Sequence, residues 1–80
     1  MKFWVYALQS LKDKRIYVGH TQDLQKRITE HNNRKCQYTK GHCPWELIYS
    51  EIYSSRPQAI QRERFFKNGN GREKLRDLIY

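Results

Sequence analysis

Eighty residues leave room for one core, so the chain reads as one domain over residues 1–80. Sixteen Lys and Arg stand against eight Asp and Glu, and the net charge of +8 draws polyanions, nucleic acid first among them. No apolar run approaches the ~20 residues of a membrane span, no basic helix carries a bulky apolar face, and the first twelve residues lack a leader's apolar stretch and cleavage site, which leaves a cytoplasmic protein without a membrane partner.

The first strand is predicted in KFWVYALQS, where β-branched and aromatic residues alternate from Phe3 to Leu8. Polar KDKR, Lys12 to Arg15, suits a hairpin connection, and IYVGH supplies a second strand that Gly19 ends. Cross-strand partners in an antiparallel hairpin share a face, so Tyr6 and Tyr17 can point the same way. Asp23 is the predicted N-cap of a helix from Leu24 to about His31. Leu24 and Ile28 mark its buried face, yet Arg27 and His31 fall on that face too. A basic loop, NNRKCQYTKGHCP, leads to a third strand, Trp45 to Tyr53. Ser54 or Ser55 caps a second helix, with Pro57 in its first turn, and this helix runs to Lys67. NGNG, Asn68 to Gly71, reads as a helix stop or turn before a short final helix with Leu75, Leu78 and Ile79 as its apolar stripe. The order β-β-α-β-α-α is an α+β fold, a sheet with helices packed on it.

Cys36 and Cys43 read as free thiols of a reducing compartment. The competing reading is a zinc site, and with it a metal-stapled interaction domain, from His31, Cys36, His42 and Cys43. Adjacent His42 and Cys43 are awkward tetrahedral ligands, and neither cysteine belongs to a C-x-x-C pair. In the second helix Glu63 lies on the inward stripe of Ala59, Ile60 and Phe66, where a carboxylate is costly unless a cation compensates it. Two tyrosines on one hairpin face, Arg27 and His31 a turn apart and an inward Glu63 are the ingredients of phosphodiester cleavage. Glu63 can hold a hard divalent cation, Arg27 can fork onto phosphate oxygens, and a tyrosine or histidine can relay a proton. The bland reading stands beside this: core tyrosines with wet hydroxyls, and Glu63 paired with Arg27.

The pieces WVYALQS, YVGHTQDLQKRITEHN, TKGHCPWELIYSE and AIQRERFFK have the order and spacing of a GIY-YIG nuclease domain, and the chain resembles its small stand-alone members over nearly all of its length. Val5-Tyr6 stands for the first motif, with Trp4 in place of its glycine, and Tyr17-Val18-Gly19 for the second. The resemblance implies a three-stranded antiparallel sheet flanked by helices. It implies an endonuclease that hydrolyses DNA with one Mg²⁺ or Mn²⁺, in a setting of repair or recombination. Tyr6 and Tyr17 would line the site, Arg27 contact the scissile phosphate, His31 assist, and Glu63 bind the metal. Tyr6, Tyr17 and His31 all stand as candidate bases. Gly19 would give room for close approach. Apart from the resemblance, Thr39 and Lys40 sit in a basic loop that either touches the substrate backbone or serves surface solubility. Larger members add an asparagine beyond the glutamate, for which Asn68 and Asn70 are both candidates. They also add further DNA-binding domains; here substrate choice rests on the protein's own surface or on a targeting partner. The alternative is a DNA- or RNA-binding protein of the same fold without cleavage.

Overall fold

The computed structural model describes residues 1–80. Two strands, β1 (Phe3–Ser10) and β2 (Ile16–Thr21), form the hairpin. They are followed by helix α1 (Leu24–Asn32), a short 3-10 turn (Lys40–His42), strand β3 (Trp45–Tyr53), and helices α2 (Arg56–Lys67) and α3 (Gly69–Ile79). The sheet is antiparallel throughout in the order β2-β1-β3, so the first strand of the chain is the central one.

Alternation along β1 splits the interior into two layers, because successive side chains leave opposite faces of a strand. Phe3, Val5 and Ala7, with Val18 of β2, pack against Ala59 and Phe66 of α2 and Leu75 of α3. Tyr6 and Leu8, with Trp45 of β3, turn the other way, onto Tyr17 and onto Leu24 and Ile28 of α1. Polar ends are capped as the sequence suggests. Asp23 accepts a hydrogen bond from the Lys26 amide at 3.1 Å, and Ser55 accepts one from the Gln58 amide.

Three boundaries differ from expectation. β2 does not end at Gly19 but continues to Thr21, since Trp4 of β1 pairs with Thr21 and carries the ladder past the glycine. α1 runs one residue further, to Asn32. The Asn-Gly run is not a turn: only Asn68 separates α2 from α3, and Gly69, Asn70 and Gly71 are helical. Gly71 is buried against the end of α2, where a Cβ would stand 1.5 Å from the Phe65 carbonyl oxygen. Close packing of two helix ends selects glycine at that position, although glycine alone argues against a helix.

Candidate active site

The site is built around Tyr6. In the hairpin register Tyr6 faces Gly19 and Leu8 faces Tyr17, which puts both tyrosines on the α1 side of the sheet, their rings 6.4 Å apart. A Cβ on Gly19 would lie 2.6 Å from the Tyr6 hydroxyl and 2.9 Å from its ring. The missing side chain therefore makes room for Tyr6 to lie across β2, which corrects the expectation that Gly19 clears a path for substrate.

Tyr6 is buried, and its hydroxyl meets His31 Nε2 at 3.0 Å. On the other side of the imidazole, Nδ1 meets Thr39 Oγ1 at 2.8 Å. Burial, and after it the charge of Arg27, push His31 down to about 4, so the ring is neutral at pH 7. Burial pushes the Tyr6 hydroxyl well above its ordinary range, against the pull of the adjacent Arg27 guanidinium. A neutral imidazole has one donating and one accepting nitrogen, so a proton passes along the line from Tyr6 to His31 to Thr39 in a single sense. The three groups form one hydrogen-bonded chain. Partial burial works against the Arg27 charge, but Tyr6 and Glu30 outweigh it, the latter 3.3 Å away.

Two expected placements are corrected here. His31 does not face a groove: it is fully buried, because Tyr6 and Thr39 satisfy both ring nitrogens inside the protein. Thr39 does not reach a substrate backbone either. It too is buried, and its carbonyl accepts from the Trp45 indole at 2.9 Å, while Lys40 next to it is exposed.

The second half of the site lies on the α2 side of β2. His20, one residue past Gly19, faces α2, and its Nδ1 is 2.6 Å from Glu63 Oε1. Lys67, one turn along, donates to Glu63 Oε2 at 3.1 Å and stands 5.6 Å over the Tyr17 ring. Glu63 thus has His20 and Lys67 as its partners, not Arg27. The two partners of Glu63 line different concavities, His20 the smaller and Lys67 the larger. A cleft of about 380 Å³ holds His20, Lys26, Arg27 and Arg56. A groove of about 710 Å³ is lined by Lys14, Arg15, Lys67, Arg72 and Arg76 around Tyr17 and Tyr38.

Glu63 suits a hard divalent cation. Its side chain is 18% exposed, and both oxygens already face positive or proton-donating groups, one of them the Lys67 ammonium. One carboxylate suffices for Mg²⁺ when water and phosphate complete the shell. The zinc set does not assemble: His42 Nδ1 is 2.6 Å from Asp13, His31 is spent on Tyr6 and Thr39, and the Cys43 thiol donates to the His31 carbonyl. Cys36 and Cys43 are free. Asn68 lies at the helix junction and Asn70 in the first turn of α3, and neither is bonded to Glu63.

Sequence reasoning missed His20 and Lys67. Lys67 carried a signal, since it follows Glu63 by four residues on one helix. His20 carried one only in hindsight of the strand's length: had β2 been continued past Gly19, alternation would have placed His20 on the helix side.

Comparison with known proteins agrees along the whole length. The GIY-YIG catalytic domain model matches residues 2–76. The UPF0213 protein of Staphylococcus haemolyticus is 37% identical over 76 residues, which cover 94% of this chain and 92% of that protein. The UPF0213 protein YazA of Bacillus subtilis is 46% identical over 57 residues, 70% of this chain and 58% of that one. The solution structure of a UPF0213 protein from Bacillus halodurans superposes with a TM-score of 0.59 at 32% identity, covering 98% of this chain and 85% of that one. An α+β sheet that carries both motif tyrosines on one face, with a family match from residue 2 to residue 76, has one conclusion: the chain belongs to the GIY-YIG catalytic domain family and is similar to its small UPF0213 proteins.

Proposed function

We propose that the protein is a divalent-metal-dependent endonuclease that hydrolyses phosphodiester bonds in DNA. GIY-YIG domains in general imply a nucleic-acid substrate, and GIY-YIG nucleases in general use a divalent metal. The observation that carries the proposal is the pairing of Glu63, a shielded carboxylate bonded to His20, which lines the cleft that holds Arg27, and to Lys67, which lines the basic groove around Tyr17. A binding surface gains nothing from a negative charge there.

A phosphate seated over Glu63 has Arg27 on one flank. The guanidinium forks onto the non-bridging oxygens as charge grows on them, and Tyr6 and Glu30 keep it aimed. On the other flank lies Tyr17. Of the three candidate bases, Tyr6 and His31 are buried, and Tyr17 is half-exposed with Lys67 close to its ring. A general base must reach the attacking water, so Tyr17 takes that role. Tyr6, His31 and Thr39 act behind Arg27 as positioning residues. A cation at Glu63, when bound, supplies positive charge for the leaving oxygen.

The test is a panel of labelled DNAs (single-stranded, duplex, flap and junction) incubated with Mg²⁺, Mn²⁺ or EDTA, for the natural protein and Glu63→Gln. Cleavage is expected in metal and absent in EDTA. The variant should lose at least ~10²-fold in rate, about 3 kcal/mol of transition-state stabilisation, while its DNA affinity holds or rises. Binding without cleavage by the natural protein across the panel, or a Glu63→Gln protein that cuts at the natural rate, refutes the proposal.

A further inference from the structure

We propose that His20 is a second metal ligand beside Glu63, which makes this a mixed nitrogen–oxygen site selecting a first-row transition cation such as Mn²⁺ over Mg²⁺. The inference rests on the reading of Glu63 as the carboxylate that holds the metal. His20 Nδ1 is 2.6 Å from Glu63 Oε1, and the two side chains are 25% and 18% exposed, shielded yet open on one side. Adjacent corners of an octahedron with bonds of ~2.1 Å are on the order of 3 Å apart, so a small splay of the pair admits a cation between them. The splay has little freedom in other directions. His20 lies on a strand whose backbone pairs with Val5 of the central strand, and Glu63 is held by the helix that packs on the same layer.

The chemistry of the pair sets the preference. Mg²⁺ takes oxygen ligands and dehydrates reluctantly, whereas a nitrogen ligand favours the first-row transition cations, Mn²⁺ least among them and the later metals more strongly. In the free pair the proton between Nδ1 and Glu63 Oε1 lies on Nδ1, since a carboxylate only accepts; a cation takes the place of that proton, the ring then carries its proton on Nε2, and Lys67 keeps its bond to Oε2. No third His, Cys, Asp or Glu joins the pair. The remaining positions fall to water and to the phosphate that the cleft brings in, since His20 and Arg27 line the same cleft. Nitrogen ligation is distinct from the lesser role of a hydrogen-bond donor that only orients Glu63.

Mn²⁺ is the probe, added to the full chain without a histidine tag. Electron spin-echo envelope modulation reads nitrogen coupling to the bound ion, and calorimetry in inorganic phosphate reads Mn²⁺ and Mg²⁺ affinities. The natural protein should show ¹⁴N coupling. His20→Gln should lose it and weaken Mn²⁺ binding by at least ~10-fold, with Mg²⁺ changed by less than ~3-fold. His20→Asp, an oxygen ligand, should restore binding and move the preference towards Mg²⁺, which guards against a trivial folding loss. Coupling that persists in His20→Gln, equal losses of both ions, or oxygen-only coordination in the natural protein overturns the inference while leaving Glu63 intact. Mn²⁺ binding that survives in Glu63→Gln refutes instead the reading on which it rests.

Discussion

Burial divides the polar residues of the site between two tasks. Tyr17 has water within reach, and Tyr6 does not. Tyr17→Phe should therefore cut the hydrolysis rate by at least ~10²-fold with a thermal midpoint close to the natural one. Tyr6→Phe removes the partner of His31 Nε2 and should cost roughly 1–3 kcal/mol of stability, because a buried polar group is left unpaired. Denaturant titration and rate measurement on both variants check the division; a stable Tyr6→Phe with full stability and lost cleavage would reverse it. His31 makes a second statement, about pH. Its folded pKa, about 4, is below its ordinary value of 6.5, so between those values the unfolded chain binds the extra proton. Stability is fully present above pH 6.5 and declines as the pH falls towards 4, by roughly 3 kcal/mol across the window. Thermal midpoints at pH 7, 6 and 5 should show this fall, and His31→Gln, which does not titrate, should flatten it. The nearest carboxylate effect lies lower. Burial pushes Glu51 up, but bonds from Arg62, Tyr49 and Tyr53 outweigh it, so Glu51 loses its contribution only below the ordinary carboxylate range.

At the level of elements the tightest constraint is the α2–α3 junction. Gly71→Ala drives a methyl into the Phe65 carbonyl, and backbone on both sides must part to admit it. The expected loss is about 3 kcal/mol or more, read as a shift of the urea midpoint; an unchanged midpoint would mean that the helices slide freely past one another. The same junction shows where reading the sequence stops short. The strands were legible because alternation in Phe3–Leu8 reports two differently packed faces, and the helix starts because Asp23 and Ser55 cap them locally. The stop at Asn68 was legible, but the turn expected through Gly71 is helix instead, since Gly71 is chosen by contact with the end of α2 and not by local preference. The site divides in the same way. Arg27 and Glu63 stand out as charges on apolar stripes. That His31 is tied to Tyr6 and Thr39, and that Glu63 meets His20 rather than Arg27, depends on how β2 and the loop lie against helices from different parts of the chain. No periodicity carries that information.

The whole molecule presents its charge over a body of 29 × 28 × 19 Å, long enough to lie along about eight base pairs of duplex at ~3.4 Å each. Neutralising ~4–6 phosphates over that length predicts a slope of about −4 to −5 for log K against log[salt]. Fluorescence anisotropy between 50 and 300 mM salt checks it (approximate bounds of the usual working range), and a nearly flat response would remove nucleic acid as the partner. The topology sets a mechanical contrast within this body. Strand β1 is hydrogen-bonded along both edges and buried on both faces, whereas α1 contributes His31 alone as a fully buried residue. Opening of a folded protein begins where little is buried and spares what is fully enclosed. The guanidinium proposed to meet the phosphate is thus mounted on the softest helix, and the Tyr6 hydroxyl beside it on the stiffest strand. Each departure of α1 leaves Tyr6 and the sheet in place as the template onto which Arg27 re-seats.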